Sequence, residues 1–185
     1  IGFVCSGIDV PAKLDQGGVL IVVTNNVSDK LKPEIKRLKK DLVGDGWNVI
    51  VKNVATDAKP PQIKALIQET IKQASHPVTH VFLLGHVPVP YAGVIRPDGH
   101  KNHVGAWPAD VYYADLDGEW TDEKENHEKN AKRMQNLPGD GKFDQSKLPP
   151  NSADLALGRV DLHNMPAFKL DEVQLLRRYL DKNHA

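Results

Sequence analysis

Gly18-Val19-Leu20-Ile21-Val22-Val23-Thr24 decides the fold. The run is apolar without alternation, and Gly17-Gly18 and Asn25-Asn26 bound it. That pattern reads as a strand buried on both faces, as in a parallel sheet. Working outward, a helix follows, with Ser28 or Asp29 as its cap and Pro33 in its first turn. Leu31, Ile35, Leu38 and Leu42 recur at helical spacing, and Gly44 and Gly46 end it. Trp47–Val54 is a second strand, with Trp47, Val49 and Val51 on one face. Pro60-Pro61 opens a second helix whose stripe is Ile63, Leu66, Ile67, Ile71 and Ala74, and His76-Pro77 closes it. Thr79–Gly85 is a third strand, apolar in Val81-Phe82-Leu83-Leu84.

The order β-α-β-α-β predicts right-handed crossovers and a mainly parallel α/β sheet with helices on both faces. Ligands of such sheets gather beyond the carboxyl ends of the strands. Here those ends are Thr24-Asn25-Asn26, Val54–Asp57 and Gly85-His86-Val87-Pro88. Residues 85–110 then form a long irregular excursion rich in proline, glycine and histidine. Asp110–Asp115 is expected as a short strand leading into Asp117-Gly118. Residues 119–134 are polar and are read as a solvated helix or loop, and 136–151 as a turn-rich stretch. Ala153–Val160 is a fourth long strand. Pro166 is expected to start a final helix facing the core through Phe168 or Leu170, Val173, Leu176 and Leu180. The whole of 1–185 is expected as a single α/β domain, with 85–151 a loop-rich insertion within it.

Composition narrows the function classes. The chain has 185 residues, 40% of them apolar and 26% charged, as expected of a globular protein. Its 24 basic and 24 acidic side chains cancel, so no basic excess points to nucleic acid or an anionic membrane. The longest apolar runs fall far short of the ~20 residues of a spanning helix, so no membrane insertion is expected. One cysteine excludes an internal disulfide framework. The first methionine is Met134, so the expectation is that something upstream of Ile1 was processed or left out.

No complete catalytic constellation stands out. Cys5 sits in an apolar stretch, Phe3-Val4-Cys5-Ser6-Gly7-Ile8, and reads as a buried or incidental thiol. There is no GxSxG, no HExxH and no paired CxxC. His86, His100, His103 and Asp110 lie in one excursion and form one reading, a metal-dependent hydrolase; structural or solvated histidines are the other. The acidic loops suit calcium better. Asp115-Leu116-Asp117-Gly118-Glu119, with Asp122 following, places oxygens at alternate positions, and Asn136–Asp144 brings Asp140 and Asp144. Neither loop completes an EF-hand: Trp120 and Lys147 stand where glycine and glutamate belong. Polar Asx turns and a Ca²⁺ site formed by Asp115, Asp117, Asp122, Asp140 and Asp144 both remain open.

Several segments in order resemble the first part of the gingipain-type (C25) cysteine peptidases. They are the Val19–Thr24 strand, the Gly46-Trp47-Asn48-Val49 strand, and His80-Val81-Phe82-Leu83-Leu84-Gly85-His86-Val87-Pro88. Asp110-Val111-Tyr112-Tyr113, Leu157-Gly158-Arg159-Val160 and Leu176–Asn183 continue the series. The resemblance spans residues 18–183 and implies a caspase-like or flavodoxin-like strand order. In that family the histidine base and cysteine nucleophile lie on later strands, so Cys5 does not correspond to the nucleophile. By spacing from Gly158-Arg159, Asp181 matches a carboxylate that orients the catalytic histidine, although the family shows glutamate there. His86 stands where the family often has aspartate.

The resemblance implies the leading portion of a secreted cysteine endopeptidase. It would lack the His/Cys dyad within these residues and be inactive alone. Its partners would be the remainder of the domain and, in the parent, a peptide or protein substrate. No cofactor is required, with Ca²⁺ as the one candidate, and the location implied is extracellular or cell-surface. The alternative is a non-catalytic extracellular binding or scaffold domain that uses the loop face.

Overall fold

The computed structural model describes residues 15–96, 99–125, 131–147 and 153–184. Four strands make the main sheet: β1 (Gly17–Thr24), β2 (Trp47–Val54), β3 (Val78–Leu84) and β6 (Ala156–Val160). Their order is β2-β1-β3-β6, and every pairing is parallel. Between β3 and β6, Tyr91–Ala92 (β4) and Trp107–Pro108 (β5) form a small antiparallel ribbon. The helices are α1 (Asn25–Lys30), α2 (Lys32–Gly44), α3 (Pro60–Gln73), α4 (Val111–Ala114) and α5 (Glu172–His184). No described helix is long and apolar enough to cross a membrane.

The unbroken apolar run of β1 has its cause in this layering. Leu20 and Val22 enter one core cluster, with Ile63 and Ile67 of α3, Tyr112 and Tyr113 of α4, and Phe143. Ile21 and Val23 enter the other, with Ile35 and Leu38 of α2 and Val173, Leu176 and Leu180 of α5. Successive side chains of a strand point to opposite faces, so a strand covered on both sides needs apolar residues at every position. β3 repeats the pattern: Val81 and Leu83 face α3, while Phe82 and Leu84 face α2 and α5. Fold class and strand order agree with the caspase-like expectation.

Four local expectations are corrected. The first helix is broken at Leu31, with Thr24 and Leu31 rather than Ser28 or Asp29 at the starts of α1 and α2. Pro33 has no N–H to give Asp29, and its ring crowds that carbonyl, so α1 stops short of it. Asp110–Asp115 is one helical turn and not a strand. It packs Tyr112, Tyr113 and Ala114 into the core together, which an alternating strand would not do. β6 begins at Ala156, because the Asp154 and Leu155 N–H groups both bond Ala114 O, at 2.9 and 3.1 Å. α5 begins at Glu172 and not Pro166. A reciprocal cap sets that start: Asp171 N–H donates to Gln174 Oε1 at 3.0 Å, and Gln174 N–H to Asp171 Oδ1 at 2.8 Å. Phe168 is consequently 51% exposed. In the polar stretch 119–134, residues 119–125 are irregular and Lys132–Met134 is a 3-10 turn.

Candidate functional site at the carboxyl edge of the sheet

β3 and β6 are neighbours, so the residues that follow them meet. After Leu84 the chain turns at Gly85, whose φ is +83°. A Cβ there would lie 2.7 Å from Val27 Cγ2 and 2.8 Å from Thr24 Oγ1, so only glycine lets the turn close against α1. His86 is thereby set beside Asp161, with Nδ1 2.8 Å from Oδ2. The His86 ring stacks on His163 at 4.2 Å between centroids and 25° between planes. His163 Nδ1 lies 3.9 Å from Glu172 Oε2, at the start of α5. The other carboxylate oxygen of Glu172 is buried with no hydrogen-bond partner among the described residues. His163 and Glu172 line a cavity of about 420 Å³ together with Asn26, Lys30, Met165 and Leu170.

Arg159, the fourth residue of β6, fixes the excursion to this edge. Its Nε and Nη2 grip Asp110 at 2.6 and 2.8 Å. Nη1 donates to Val87 O, Nη2 reaches Pro88 O at 3.4 Å, and Nη1 stands 3.8 Å from Asp161 Oδ2. One guanidinium thus ties both ends of the excursion to the strand that leads into Asp161. The Tyr113 hydroxyl adds a 2.7 Å bond to Pro88 O. Burial raises the Tyr113 phenol pKa far above its usual value, so it stays a donor.

An imidazole held by a carboxylate at Nδ1 presents its Nε2 as a base or a ligand. His86 has that arrangement, and its side chain is 44% exposed. Among the described residues no serine, threonine or cysteine bonds to His86, so the acceptor of a proton is present without a nucleophile beside it. Cys5 lies outside the described residues.

The other sequence candidates scatter. Asp181 pairs with Arg37 of α2 and is 53% exposed. It stands nine residues beyond Glu172 on α5, roughly 14 Å along the helix axis. Asp110 is engaged by Arg159, while His103 stacks on Trp107 at 4.6 Å with His100 at 5.0 Å from it. The proposed set of His86, His100, His103 and Asp110 is not brought together among the described residues.

The five calcium candidates divide. Asp115 and Asp117 converge with Asp154, oxygens within 4.8 Å. Asp122 accepts the N–H groups of Gly139 and Gly141 at 2.9 and 2.8 Å. Asp140 accepts those of Leu137 and Lys142 at 3.2 and 2.9 Å and the Lys142 ammonium at 2.6 Å. Asp144 is buried and accepts the Thr121 hydroxyl and the Glu123 and Lys124 N–H groups, at 2.8, 2.9 and 3.1 Å. Burial alone would raise the Asp144 pKa, but these hydrogen bonds and the Lys124 charge outweigh it and hold the pKa below its usual value. These three carboxylates organise loops through backbone donors.

Sequence reasoning missed Asp161, His163, Glu172 and Asp154. Two signals were there to be read: Asp161 and His163 follow directly on β6, at a carboxyl end, and Asp171-Glu172-Val173-Gln174 is a capping box.

An all-parallel sheet covered by helices on both faces, with its polar groups gathered at the carboxyl edge, defines an α/β protein of the caspase-like kind. The model of peptidase family C25 matches residues 13–169, and the chain belongs to that family. Comparison with curated proteins and with solved structures finds no match.

Proposed function

We infer that the chain is the leading portion of a secreted C25 cysteine endopeptidase, and that strands following α5 in the parent protein supply its His/Cys dyad. The observation that carries this reading is the family match over 13–169. The carboxyl edge supports it, because an oriented imidazole and a cavity lie there while no nucleophile stands beside them among the described residues. In this reading the edge forms one wall of a cleft for a peptide or protein substrate, and the remainder of the domain is the chain's partner. The location that goes with it is extracellular or cell-surface.

The test compares this chain with the same chain extended by its natural continuation, on the order of 150–200 residues or about one further domain. Peptide hydrolysis is measured under reducing conditions, with and without a thiol-alkylating reagent. The short chain is expected to be inactive, and the extended one active and lost on alkylation. A continuation without a histidine and a cysteine at successive strand ends contradicts the reading. One observation favours a non-catalytic binding domain instead: Ile95 and Leu137 are exposed on the excursion, at 57% and 41%. A continuation that folds with this chain but lacks the dyad decides for that alternative.

A further inference from the structure

The carboxylate beside His86 settles which ring nitrogen is reactive. An ionised carboxylate only accepts, so in the neutral ring the Nδ1 that lies 2.8 Å from Asp161 Oδ2 carries the hydrogen. The lone pair is then on Nε2, which has no hydrogen-bond partner among the described residues. The side chain is 44% exposed, so the ring is open to a reagent. Asp161 is itself held. Its Oδ1 accepts the His163 N–H at 2.9 Å, and Arg159 Nη1 stands 3.8 Å from Oδ2. The carboxylate fixes the imidazole at one edge, and the His163 ring, 4.2 Å away, fixes it on one face. His163 also lines the cavity of about 420 Å³, whose wall is apolar at Leu162, Met165 and Leu170.

His184 is the comparison within the same chain. Its Nδ1 also lies 2.8 Å from a carboxylate oxygen, Asp41 Oδ2, and its side chain is 47% exposed. Asp41 is more open to water than Asp161, at 37% against 19%, and no ring stacks on His184 among the described residues. The two imidazoles therefore share a hydrogen bond and differ in how firmly it is held.

We propose that His86 is a nucleophile toward activated esters, with Asp161 as its positioning residue and the neighbouring cavity taking the acyl chain. This activity does not rest on the peptidase reading. Nε2 attacks the ester carbonyl carbon, the bond from that carbon to the aryl oxygen breaks, and a phenolate leaves with the bonding pair. The ring becomes an acyl-imidazolium, its positive charge beside the Asp161 carboxylate. Water then adds to the acyl carbon, the carbon–nitrogen bond breaks, and its electron pair returns to Nε2. The acid is released and the proton from water passes to solvent. Peptide bonds lie outside this activity, because a departing amine must be protonated and an acylated Nε2 has no proton to give.

The test is hydrolysis of p-nitrophenyl butyrate at about pH 8 by the 185-residue chain, its one thiol alkylated beforehand. Wild type is expected to exceed the same concentration of free imidazole by about tenfold or more. H86Q is expected to lose about nine-tenths of that excess, and H184Q to stay within about twofold of wild type. D161N is expected to lower kcat about tenfold with KM unchanged, which a merely structural role would not do. Diethyl pyrocarbonate reads the same nucleophile without any substitution, because its acyl-imidazole product survives digestion and mapping by mass spectrometry. His86 is expected to be modified at least about fivefold faster than His184, with ester hydrolysis lost in step. If H86Q does not fold, this comparison decides. Wild type no faster than free imidazole, H184Q costing as much as H86Q, or His86 and His184 modified at equal rates overturns the proposal.

Discussion

On one face of the sheet, α1, α2 and α5 close over Ile21, Val23 and Leu84, and the contact is apolar almost throughout. On the other, α3 covers Leu20, Val22, Val81 and Leu83 in the same way, but the excursion between β3 and β6 is organised differently. Its apolar nucleus is small, with Tyr112 stacked on Phe143 at 4.2 Å and Trp120 set edge-on to both. Around that nucleus Asp110, Asp115, Asp122, Asp140 and Asp144 capture N–H groups or a guanidinium. The first region is held by area removed from water, and the second by polar groups whose partners sit at fixed places. Area tolerates rearrangement, whereas a buried acceptor that loses its donors does not.

Four substitutions sharpen that contrast. Leu83→Ala empties a fully buried position in β3 and is expected to cost about 4 kcal/mol in urea unfolding. Arg159→Met removes the grip on Asp110 and strands the Val87 carbonyl, at an expected cost of about 3 kcal/mol. Its amide exchange should rise in residues 86–96 and stay unchanged in β1; uniform acceleration would mean that the excursion is not a separate unit.

Asp144→Asn is expected to cost about 2 kcal/mol at neutral pH. Because the folded pKa of Asp144 is lowered, its contribution is present above the unfolded value and is lost as pH falls through the folded one. The gap between wild type and Asp144→Asn should therefore be full at pH 7 and close below about pH 4. A gap independent of pH would show that the charge of Asp144 is irrelevant. Asp181→Asn, at an exposed pair with Arg37, should change stability by under ~0.5 kcal/mol and leave the carboxyl edge intact. A large loss of activity in the extended enzyme would place Asp181 in the catalytic group.

The same contrast explains what could be read in advance. Strands buried on both faces announce themselves by composition, and α2 and α3 by spacing, so the parallel sheet and its strand order were legible. The excursion was not, because Asp144 and Asn136 work through tertiary partners, and Thr121, Glu123 and Gly93 are far from them in the chain. Val111-Tyr112-Tyr113 reads locally as strand and becomes a helical turn because both rings must enter one cluster. The same limit affected the site. His86 was visible as an oddity after Leu84-Gly85, but its partners Asp161 and His163 are 75 and 77 residues away, and only the pairing of β3 with β6 joins them.

The most direct test of the central claim is to label the extended protein with a thiol-reactive peptide probe and map the modified residue by mass spectrometry. The account predicts one labelled cysteine, in the sequence after residue 185 and at a strand end, with Cys5→Ser leaving labelling and activity unchanged. Labelling at Cys5, with loss of activity in Cys5→Ser, would contradict it.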